Sequence, residues 1–459
     1  MIRFALIAAL LSACHGSRPP ATARAPGVTG HVVLAPDAAP TGATGPLFVT
    51  WLTPDEKHTL ETGQDPAGLI RDLVTRGSVV GSLDGKRDLR FTVHPARGRI
   101  VLAATVDVSH VGIASVFGAG EGTLQGMSAP FEVADADAEA PPITLVSQRH
   151  APSELCAGGR LTLEHIDAPE VAGAVGNSTS RRLCVRVPAG YAEHPGRHYP
   201  VIYALPGLGS SDEAVLRYKV EADDAIIVAV DTSTRTGSTY LVDSVASGQW
   251  DRFFTTRLIP FIDAHYRTLS RRSARAIIGH STGGFNAVSY GLRHPELIGV
   301  IGASSPDALD LGTWLGNGSP RRWIREWQRV ERSLRGGGQF ISYAADWSPT
   351  AAGYEWPFDD AGVLVDGVLQ RWLAHSPSTW LRDPARAATL APLSGNIYLT
   401  VGDSDDFDLY APTVKFSQQL TAVGIANQLV VTHGGHFTHA RDQLVAIVAF
   451  CRSRLEAAK

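Results

Sequence analysis

The sequence predicts an α/β fold in which a mostly parallel sheet carries helices on both faces, preceded by a small β-sandwich-like domain. Across residues 148–459, continuous apolar runs such as YPVIYALP and ARAIIGH alternate with helical stretches. Such runs are typical of strands covered on both faces, and the helical stretches between them imply right-handed crossovers. Residues 29–134 instead hold short β-like runs separated by Gly, Pro and Asp clusters, the pattern of a small antiparallel sandwich.

The composition indicates a folded chain with more than one domain. Its 459 residues are 44% hydrophobic and 19% charged, which is enough apolar material to bury large cores. The net charge is −4, and no basic stripe or acidic tail is present, so we expect no nucleic-acid partner. No Cys or His spacing matches a zinc site, and the sequence predicts no cofactor. It leaves the oligomeric state open.

The first residues predict a lipoprotein-type signal peptide over residues 1–14. Arg3 precedes an apolar run that is too short to span a bilayer. The run ends in Leu-Ser-Ala-Cys, which resembles the lipobox of bacterial lipoproteins, where the signal is cut before a cysteine that is lipidated, here Cys14. His15 rather than aspartate follows, so the resemblance implies the outer membrane, at its periplasmic face or the cell surface. The alternative is an ordinary signal peptide that contains a cysteine.

Shifts in composition mark two connecting segments and one insertion. Residues 15–28 are rich in Ala, Pro, Arg and Gly and predict a flexible tether. The stretch 135–147 begins with an acidic, Pro-ended run and predicts a linker before the domain at 148–459. Within that domain, residues 306–390 interrupt the alternation and hold seven of the nine tryptophans. These tryptophans either pack in the core of a helical insertion or form an aromatic wall over a substrate.

Three cysteines follow the signal segment. Cys156 and Cys184 flank a strand-rich segment and are the natural candidates for a disulfide in an exported protein. Cys451 lies in the apolar stretch QLVAIVAFCRSRL and is predicted to be a buried free thiol.

The stretch RAIIGHSTGGFNA contains a G-x-S-x-G motif centred on Ser281. The apolar run before it predicts a buried strand, and the residues after it predict a helix that stops at Pro295. Strand, tight turn and helix are the context of a nucleophile elbow, where flanking glycines allow the turn and the helix N-terminus favours an oxyanion. Ser281 is therefore predicted to be a nucleophile.

A serine hydroxyl needs a base, and the base needs an acid to orient it. The loop VVTHGGHFTHA offers His433, His436 and His439, and we choose His436 because it directly follows the flexible Gly-Gly pair. The acid is expected after the preceding strand, where GDSDDFD offers Asp405 as first choice and Asp406 as second. A calcium loop is the competing interpretation of these acids, but the glycine that an EF-hand requires is absent.

Acyl transfer also needs donors for the developing oxyanion. One is predicted to be the backbone N–H of Thr282, directly after the nucleophile. The other should follow the earlier strand in YPVIYALPGLGSSDE, where Pro206 has no N–H and Gly207 allows close approach. The backbone N–H of Leu208 is therefore the expected second donor.

The segments RHYPVIYALPGLGSSDE, IPFIDAHYRTLSRRSARAIIGHSTGGFNA, ISYAADWSP, GNIYLTVGDSDDF and VVTHGGHF together resemble the esterase D / Putative esterase family of α/β-hydrolases. That family includes S-formylglutathione hydrolases, feruloyl and acetyl xylan esterases, siderophore esterases and the antigen 85 mycolyltransferases. The resemblance covers residues 155–455 and implies an α/β-hydrolase fold.

The resemblance implies roles for individual residues of this chain. Ser281 would be the nucleophile, His436 the base and Asp405 the acid, with the amides of Leu208 and Thr282 as the oxyanion hole. Many members have His-Gly where this chain has Pro206-Gly207, and many have methionine at the position of Thr282. Neither departure removes a backbone donor.

These observations lead us to expect an exported, lipid-anchored serine esterase that acts through an acyl-enzyme on small-molecule or glycan-linked esters. No cofactor or metal is required. Two alternatives stay open at this point. An acyltransferase of the mycolyltransferase type would pass the acyl group to a sugar or lipid alcohol, and a surface binding protein would have no catalytic activity.

Overall fold

The computed structural model describes residues 26–457 apart from 37, 39–43, 63–68, 70–71, 74–75, 109–123, 148–158, 211, 213–217, 219, 317–338, 352, 360–362 and 364. The predicted signal peptide with Cys14, most of the predicted tether and Cys156 lie outside the described residues. No helix of the described part of the chain is both long and apolar enough to cross a membrane.

The first domain is one nine-stranded sheet with the helix α1 (Pro54–Thr62). The strands follow the order β3-β2-β5-β6-β9-β1-β4, with β7 added to β5 and β8 added to β1. Their bounds are β1 (Val28–Leu34), β2 (Pro46–Leu52), β3 (Ser78–Ser82), β4 (Asp88–Val93), β5 (Gly98–Val106), β6 (Leu124–Met127), β7 (Phe131–Val133), β8 (Ala138–Glu139) and β9 (Ile143–Ser147).

Three predictions about the N-terminal part of the chain are corrected by this sheet. Strand β1 pairs in parallel with β8 and β9, so the domain is not wholly antiparallel. Residues 135–147 are not a free linker, because β8 and β9 belong to the sheet and Ile143 and Leu145 are buried in its core. The predicted tether is also too long at its end, since Val28 begins β1 and is buried.

The second domain is built on an eight-stranded sheet with the order β10-β11-β13-β12-β18-β19-β22-β23. The first two contacts, β10 with β11 and β11 with β13, are antiparallel, and the following ones are parallel. Numbered along this domain, the order is 1-2-4-3-5-6-7-8, so the predicted mostly parallel sheet is confirmed. The strands of this sheet are β10 (Leu161–Asp167), β11 (Ser180–Arg186), β12 (Val201–Leu205), β13 (Ile226–Val230), β18 (Arg275–His280), β19 (Val300–Ser304), β22 (Ile397–Gly402) and β23 (Gln428–Thr432).

Short ribbons and helices connect these strands. The ribbons pair β14 (Ser233–Thr234) with β15 (Gly237–Ser238), β16 (Asp243–Ser244) with β17 (Gly248–Gln249), and β20 (Pro349–Thr350) with β21 (Gly353–Tyr354). A π-helical turn, Phe254–Leu258, joins the helix Trp250–Phe253 to the helix Ile259–His265. The helices are α2 (Trp250–Phe253), α3 (Ile259–His265), α4 (Thr282–Arg293), α5 (Leu311–Gly316), α6 (Gln339–Trp347), α7 (Asp366–Ala374), α8 (Pro377–Trp380), α9 (Pro384–Thr389), α10 (Tyr410–Ala422) and α11 (Ala440–Arg454).

The sheet of the second domain has an apolar core on each face. Successive residues of a strand point to opposite faces, and in β18 Ile277 and Ile278 belong to different buried clusters. Helix α4 packs on one side and α11 on the other, with Tyr290 in the first cluster and Ile447 in the second. Phe48, from the first domain, lies in the same cluster as Tyr290, so the two domains share apolar packing.

The described tryptophans of the predicted insertion mostly pack inside the protein. Trp314, Trp347 and Trp372 are buried, and the indole N–H of Trp372 donates to the Ser348 hydroxyl over 2.8 Å. The indole N–H of Trp314 donates to the carbonyl of Phe407, also over 2.8 Å. For these three residues the structure therefore favours core packing over an aromatic wall.

The two cysteines of the described residues, Cys184 and Cys451, differ in oxidation state. Cys184 on β11 is disulfide-bonded, while its predicted partner Cys156 lies outside the described residues. Cys451 on α11 is a free thiol in the core, as predicted, and burial raises its pKa.

Candidate active site

Ser281 occupies a strained turn between β18 and α4. Its backbone angles are φ 57° and ψ −126°, a region that residues other than glycine rarely adopt. The turn is fixed from both sides, because the Ser281 N–H donates to the carbonyl of Ser304 over 2.9 Å and the Asp307 N–H donates to the carbonyl of Ser281 over 3.1 Å. The predicted strand, turn and helix are all present around this serine.

The glycines of the motif are required by close backbone contacts. A Cβ atom on Gly283 would lie 2.2 Å from the carbonyl oxygen of Leu205, at the end of β12. A Cβ atom on Gly279 would lie 2.3 Å from the backbone carbonyl of Gly283. Helix α4 can therefore approach the strand ends this closely only because both positions lack a side chain.

We expect Gly283→Ala to lower the free energy of unfolding by about 3 kcal/mol, because the new methyl group would collide with backbone that cannot move aside. Urea unfolding measures the change. Gly367→Ala on α7 is the matched control, since a Cβ there meets nothing within 4 Å, and it should change the free energy by less than about 1 kcal/mol. Similar losses in the two variants would contradict the close contact at Gly283.

His436 and Asp405 form a buried pair at the carboxyl ends of β22 and β23. The Nδ1 atom of His436 is 2.7 Å from Oδ2 of Asp405, and their side chains are 1% and 0% exposed. The other oxygen of Asp405 accepts the Phe407 N–H over 3.0 Å. Asp406 has a different task, because its carboxylate accepts the backbone N–H of His436 over 3.0 Å. The geometry therefore favours Asp405 over Asp406 as the partner of the imidazole.

The other two histidines of this loop lie at the surface. His433 is exposed and its ring pairs with Asp403 over 2.9 Å, while the ring of His439 lies 3.0 Å from the carbonyl oxygen of His433. The structure brings neither of them to the buried Asp405. In the described part of the chain, no group of three or more His, Cys, Asp or Glu residues could hold a metal ion.

The environment of His436 raises the pKa of its ring, which affects how the ring can act as a base. Burial disfavours the charged ring, but the negative charges of Asp405, Asp307 and Asp406 outweigh it and raise the pKa of His436 above its usual value. The Nε2 atom is buried and has no hydrogen-bond partner among the described residues. This nitrogen is thus the one left to receive a proton.

His280, the residue before the serine, is a neutral neighbour of this pair. Its ring centroid lies 4.7 Å from that of His436, and its Nδ1 atom is 2.9 Å from the Ser304 hydroxyl. Burial and the nearby His436 hold the pKa of His280 well below its usual value. The structure therefore places His280 at the site as a packing residue without charge.

Asp307 is a site residue that the sequence reasoning missed. It follows β19, is 2% exposed, and its Oδ1 atom lies 3.4 Å from the Ser281 hydroxyl. This long contact is the one that the structure shows for the Ser281 hydroxyl. Among the described residues, no hydrogen bond joins that hydroxyl to Nε2 of His436. The sequence does carry a signal for Asp307. An acid just past a buried parallel strand lies at the sheet edge where sites form, and the same rule predicted Asp405.

The loop after β12 lies against the serine, as an oxyanion loop should. A Cβ atom on Gly207 would lie 3.4 Å from Cβ and 4.0 Å from Oγ of Ser281. The loop turns through a hydrogen bond from the Ser210 N–H to the Gly207 carbonyl over 3.1 Å, with Leu208 inside the turn. Thr282 is the first residue of α4, where backbone N–H groups have no partner within the helix. The expected oxyanion donors therefore belong to elements that meet at Ser281.

A partly buried ion pair holds Asp212, which follows this loop along the chain. Asp212 is fully buried, and its Oδ1 atom accepts from Nε and from a terminal nitrogen of Arg182 over 3.0 and 2.7 Å. Arg182 lies on β11, so the pair ties the loop after β12 to the antiparallel side of the sheet. Such charge-assisted hydrogen bonds are stronger than those between neutral groups.

Comparison with known proteins gives matches at several levels. Residues 177–447 match the model of the family described as Putative esterase. "Esterase Rv1288" of Mycobacterium tuberculosis (strain ATCC 25618 / H37Rv) is 30% identical over 107 residues, covering 22% of this chain and 23% of that protein. This chain therefore spans about a quarter of the curated relative's length.

Solved structures align with most of the second domain at low identity. A ferulic acid esterase is 20% identical with a TM-score of 0.44, covering 64% of this chain and 97% of that one. MPT51 (FbpC1) of Mycobacterium tuberculosis is 14% identical with a TM-score of 0.42, covering 64% of this chain and 99% of that one. The assignment rests on the family model, which matches more than half of the chain. The chain belongs to the Putative esterase family of α/β-hydrolases.

Proposed function

We propose that this protein is a serine carboxylic-ester hydrolase that works through an acyl-enzyme on Ser281. The observation that carries the proposal is the buried pair of His436 and Asp405 beside a serine held in a strained turn. A strand-to-helix turn that exposes one hydroxyl, together with an oriented imidazole, is the arrangement that activates a serine.

The reaction would proceed in two halves. Ser281 attacks the ester carbonyl carbon while Nε2 of His436 takes the hydroxyl proton, and the imidazolium then passes that proton to the leaving alcohol. A water attacks the acyl-enzyme in the second half, with His436 again as base. Asp405 holds Nδ1 and stabilises the imidazolium, and the amides of Leu208 and Thr282 donate to the oxyanion.

We further propose that the protein is exported and anchored in the outer membrane through lipidated Cys14. The supporting features are the positive residue, the short apolar run and the Leu-Ser-Ala-Cys ending of residues 1–14. Glycan-linked and other extracellular esters are the substrates that this location would supply. Release of the protein by detergent but not by salt, and the loss of this behaviour in Cys14→Ser, would support the anchor.

A panel of p-nitrophenyl and glycan-linked esters tests the proposed activity directly. We expect the purified protein to release the alcohol and to bind a fluorophosphonate probe covalently. Turnover of no ester, together with no labelling, would instead favour a binding protein on this fold. Product analysis with an added sugar or lipid alcohol separates hydrolysis, which yields a free acid, from acyl transfer, which yields a new ester.

The pH dependence of kcat/KM should report the raised pKa of His436. The base acts only when neutral, so activity is lost as the pH falls through its pKa, which lies above the ordinary 6.5. We expect the acid limb of kcat/KM to have its midpoint above pH 6.5. His433→Gln is the control, because His433 is exposed and pairs with Asp403, and it should leave the limb in place. A midpoint below 6.5 would contradict the described environment of His436.

A further inference from the structure

Asp307 is a buried carboxylate that several hydroxyl groups contact. Its Oδ2 atom accepts the hydroxyl of Thr282 over 2.7 Å and the phenol of Tyr240 over 2.9 Å. Its Oδ1 atom faces the hydroxyl of Ser281 over 3.4 Å. Three hydroxyl groups from two parts of the chain, the turn at Ser281–Thr282 and Tyr240, thus converge on one carboxylate, and one of them is the predicted nucleophile.

The hydrogen bonds indicate which form of Asp307 the site favours. An ionised carboxylate can accept from all three hydroxyl groups, whereas a protonated one must use an oxygen as a donor. Burial has the larger effect and leaves the pKa of Asp307 above its ordinary value, although the hydrogen bonds from Thr282 and Tyr240 and the charge of His436 lower it.

His436 in turn faces carboxylates from two loops. Asp405 and Asp406 approach it from the loop after β22, and Asp307 acts on it from the loop after β19. The ring of His280 faces it from the end of β18 and carries no charge. Asp405 is bonded to Nδ1 and Asp406 to the backbone N–H. Asp307 therefore differs from both in contacting the nucleophile while its charge acts on the base.

We propose that Asp307 is a second functional carboxylate of this site, which positions the Ser281 hydroxyl before reaction and stabilises the imidazolium of His436 during it. The inference rests on the proposed function, since it assigns Asp307 to the same acyl-transfer step. Asp405 is bonded to Nδ1 of the imidazole, whereas Asp307 contacts the serine hydroxyl.

The proton balance of the step does not involve Asp307. When an ester binds, the Ser281 hydroxyl leaves Asp307 and donates to Nε2 of His436. The Oγ–carbonyl carbon bond then forms as the proton moves from Oγ to Nε2, and the leaving alcohol later takes that proton. In this proposal Asp307 stays ionised throughout, and its negative charge stabilises the positive charge that develops on the ring.

Asp346 supplies a control for the disturbance of Tyr240, although burial raises its pKa to about 7. Like Asp307 it is 2% exposed, and it accepts from Tyr240, but through the backbone N–H, over 2.5 Å. Its other partners are the hydroxyls of Ser247 and Thr239, and its charge is not among those that act on His436. Replacing Asp346 therefore disturbs the same tyrosine without removing the charge near the imidazole.

The decisive experiment is an NMR titration of the His436 ring in the parent protein, in Asp307→Asn and in Asp346→Asn. The ring signals are assigned by their loss in His436→Gln. We expect Asp307→Asn to lower the pKa of His436 by about one unit and to move the acid limb of kcat/KM downward with it. At the pH plateau, kcat should fall about tenfold, while Asp346→Asn leaves the His436 titration unchanged.

A purely structural role for Asp307 would give the opposite pattern. In that case Asp307→Asn would lower the melting temperature, as Asp346→Asn would, and leave the titration of His436 where it is in the parent. That result overturns the proposal. Asp307→Ser, a smaller neutral replacement, gives the same comparison if the asparagine variant does not fold.

The titration also separates this proposal from the proposed function. The pKa of His436 can be measured whether or not any ester is hydrolysed. A parent protein that turns over no ester but loses the raised pKa in Asp307→Asn would refute the esterase activity and keep the electrostatic link. If the protein hydrolyses esters but Asp307→Asn leaves the pKa of His436 and the acid limb of kcat/KM unchanged, only the electrostatic link is refuted.

Discussion

Ser281→Ala is expected to lower kcat for ester hydrolysis by at least about 10⁴-fold, the scale of loss when the nucleophile of a triad is removed. Without the hydroxyl no acyl-enzyme can form, although the oxyanion donors and the base stay in place. Alanine adds no atom to the turn, so the fold should be kept. Initial rates on a p-nitrophenyl ester, with the melting temperature measured alongside, provide the test.

Ser289→Ala is the matched control for this variant. Ser289 is also buried and also lies on α4, but its hydroxyl contacts Arg293 rather than the site. We expect its kcat to stay within about threefold of the parent, since its partner lies away from the elbow. Residual turnover of Ser281→Ala at the level of Ser289→Ala would mean that another residue is the nucleophile.

The second large effect is expected at Asp405. Asp405→Asn should reduce kcat by about 10⁴-fold, because an amide at this position favours the wrong tautomer of the imidazole and cannot stabilise its charged form. Asp406→Asn should cost no more than about tenfold, because its partner is the backbone N–H of His436, and an amide oxygen can still accept that hydrogen bond.

The comparison of these two neighbours separates charge from position. Steady-state kinetics of both variants across pH give kcat and the acid limb from the same data. The midpoint of the acid limb should move to lower pH by more in Asp405→Asn than in Asp406→Asn, because the Asp405 carboxylate bonds the ring directly. Equal losses in the two variants, or a larger one at Asp406, would contradict the assignment of Asp405 as the acid.

The elements that position Ser281 were predictable because they leave local signals in the sequence. A continuous apolar run predicts a buried strand, and glycines at 279 and 283 predict a turn that no side chain could fit. The order of serine, acid and histidine could also be found, since each follows a recognisable strand. The choice between Asp405 and Asp406 needed the fold, because neighbouring residues differ only in the direction in which the chain points them.

Other features depend on contacts between distant residues and left weaker signals. Residues 135–147 look polar and acidic at first, but Ile143 and Leu145 fill the core of the first sheet, and β9 is defined by pairing with β1 and β6. Asp307 sits in an ordinary ASSPDA stretch. Its role depends on Tyr240 and Thr282, and no local pattern joins these three residues.

The most direct test of the central claim is to find the residue that carries the covalent adduct after reaction with a fluorophosphonate. Trypsin should release residues 276–293, which contain Ser281 and Ser289, and fragmentation of this peptide separates the two serines. We predict one adduct, on Ser281, which is absent from Ser281→Ala and strongly reduced in His436→Gln. An adduct on a different residue, or an unmodified peptide from a protein that hydrolyses esters, would contradict it.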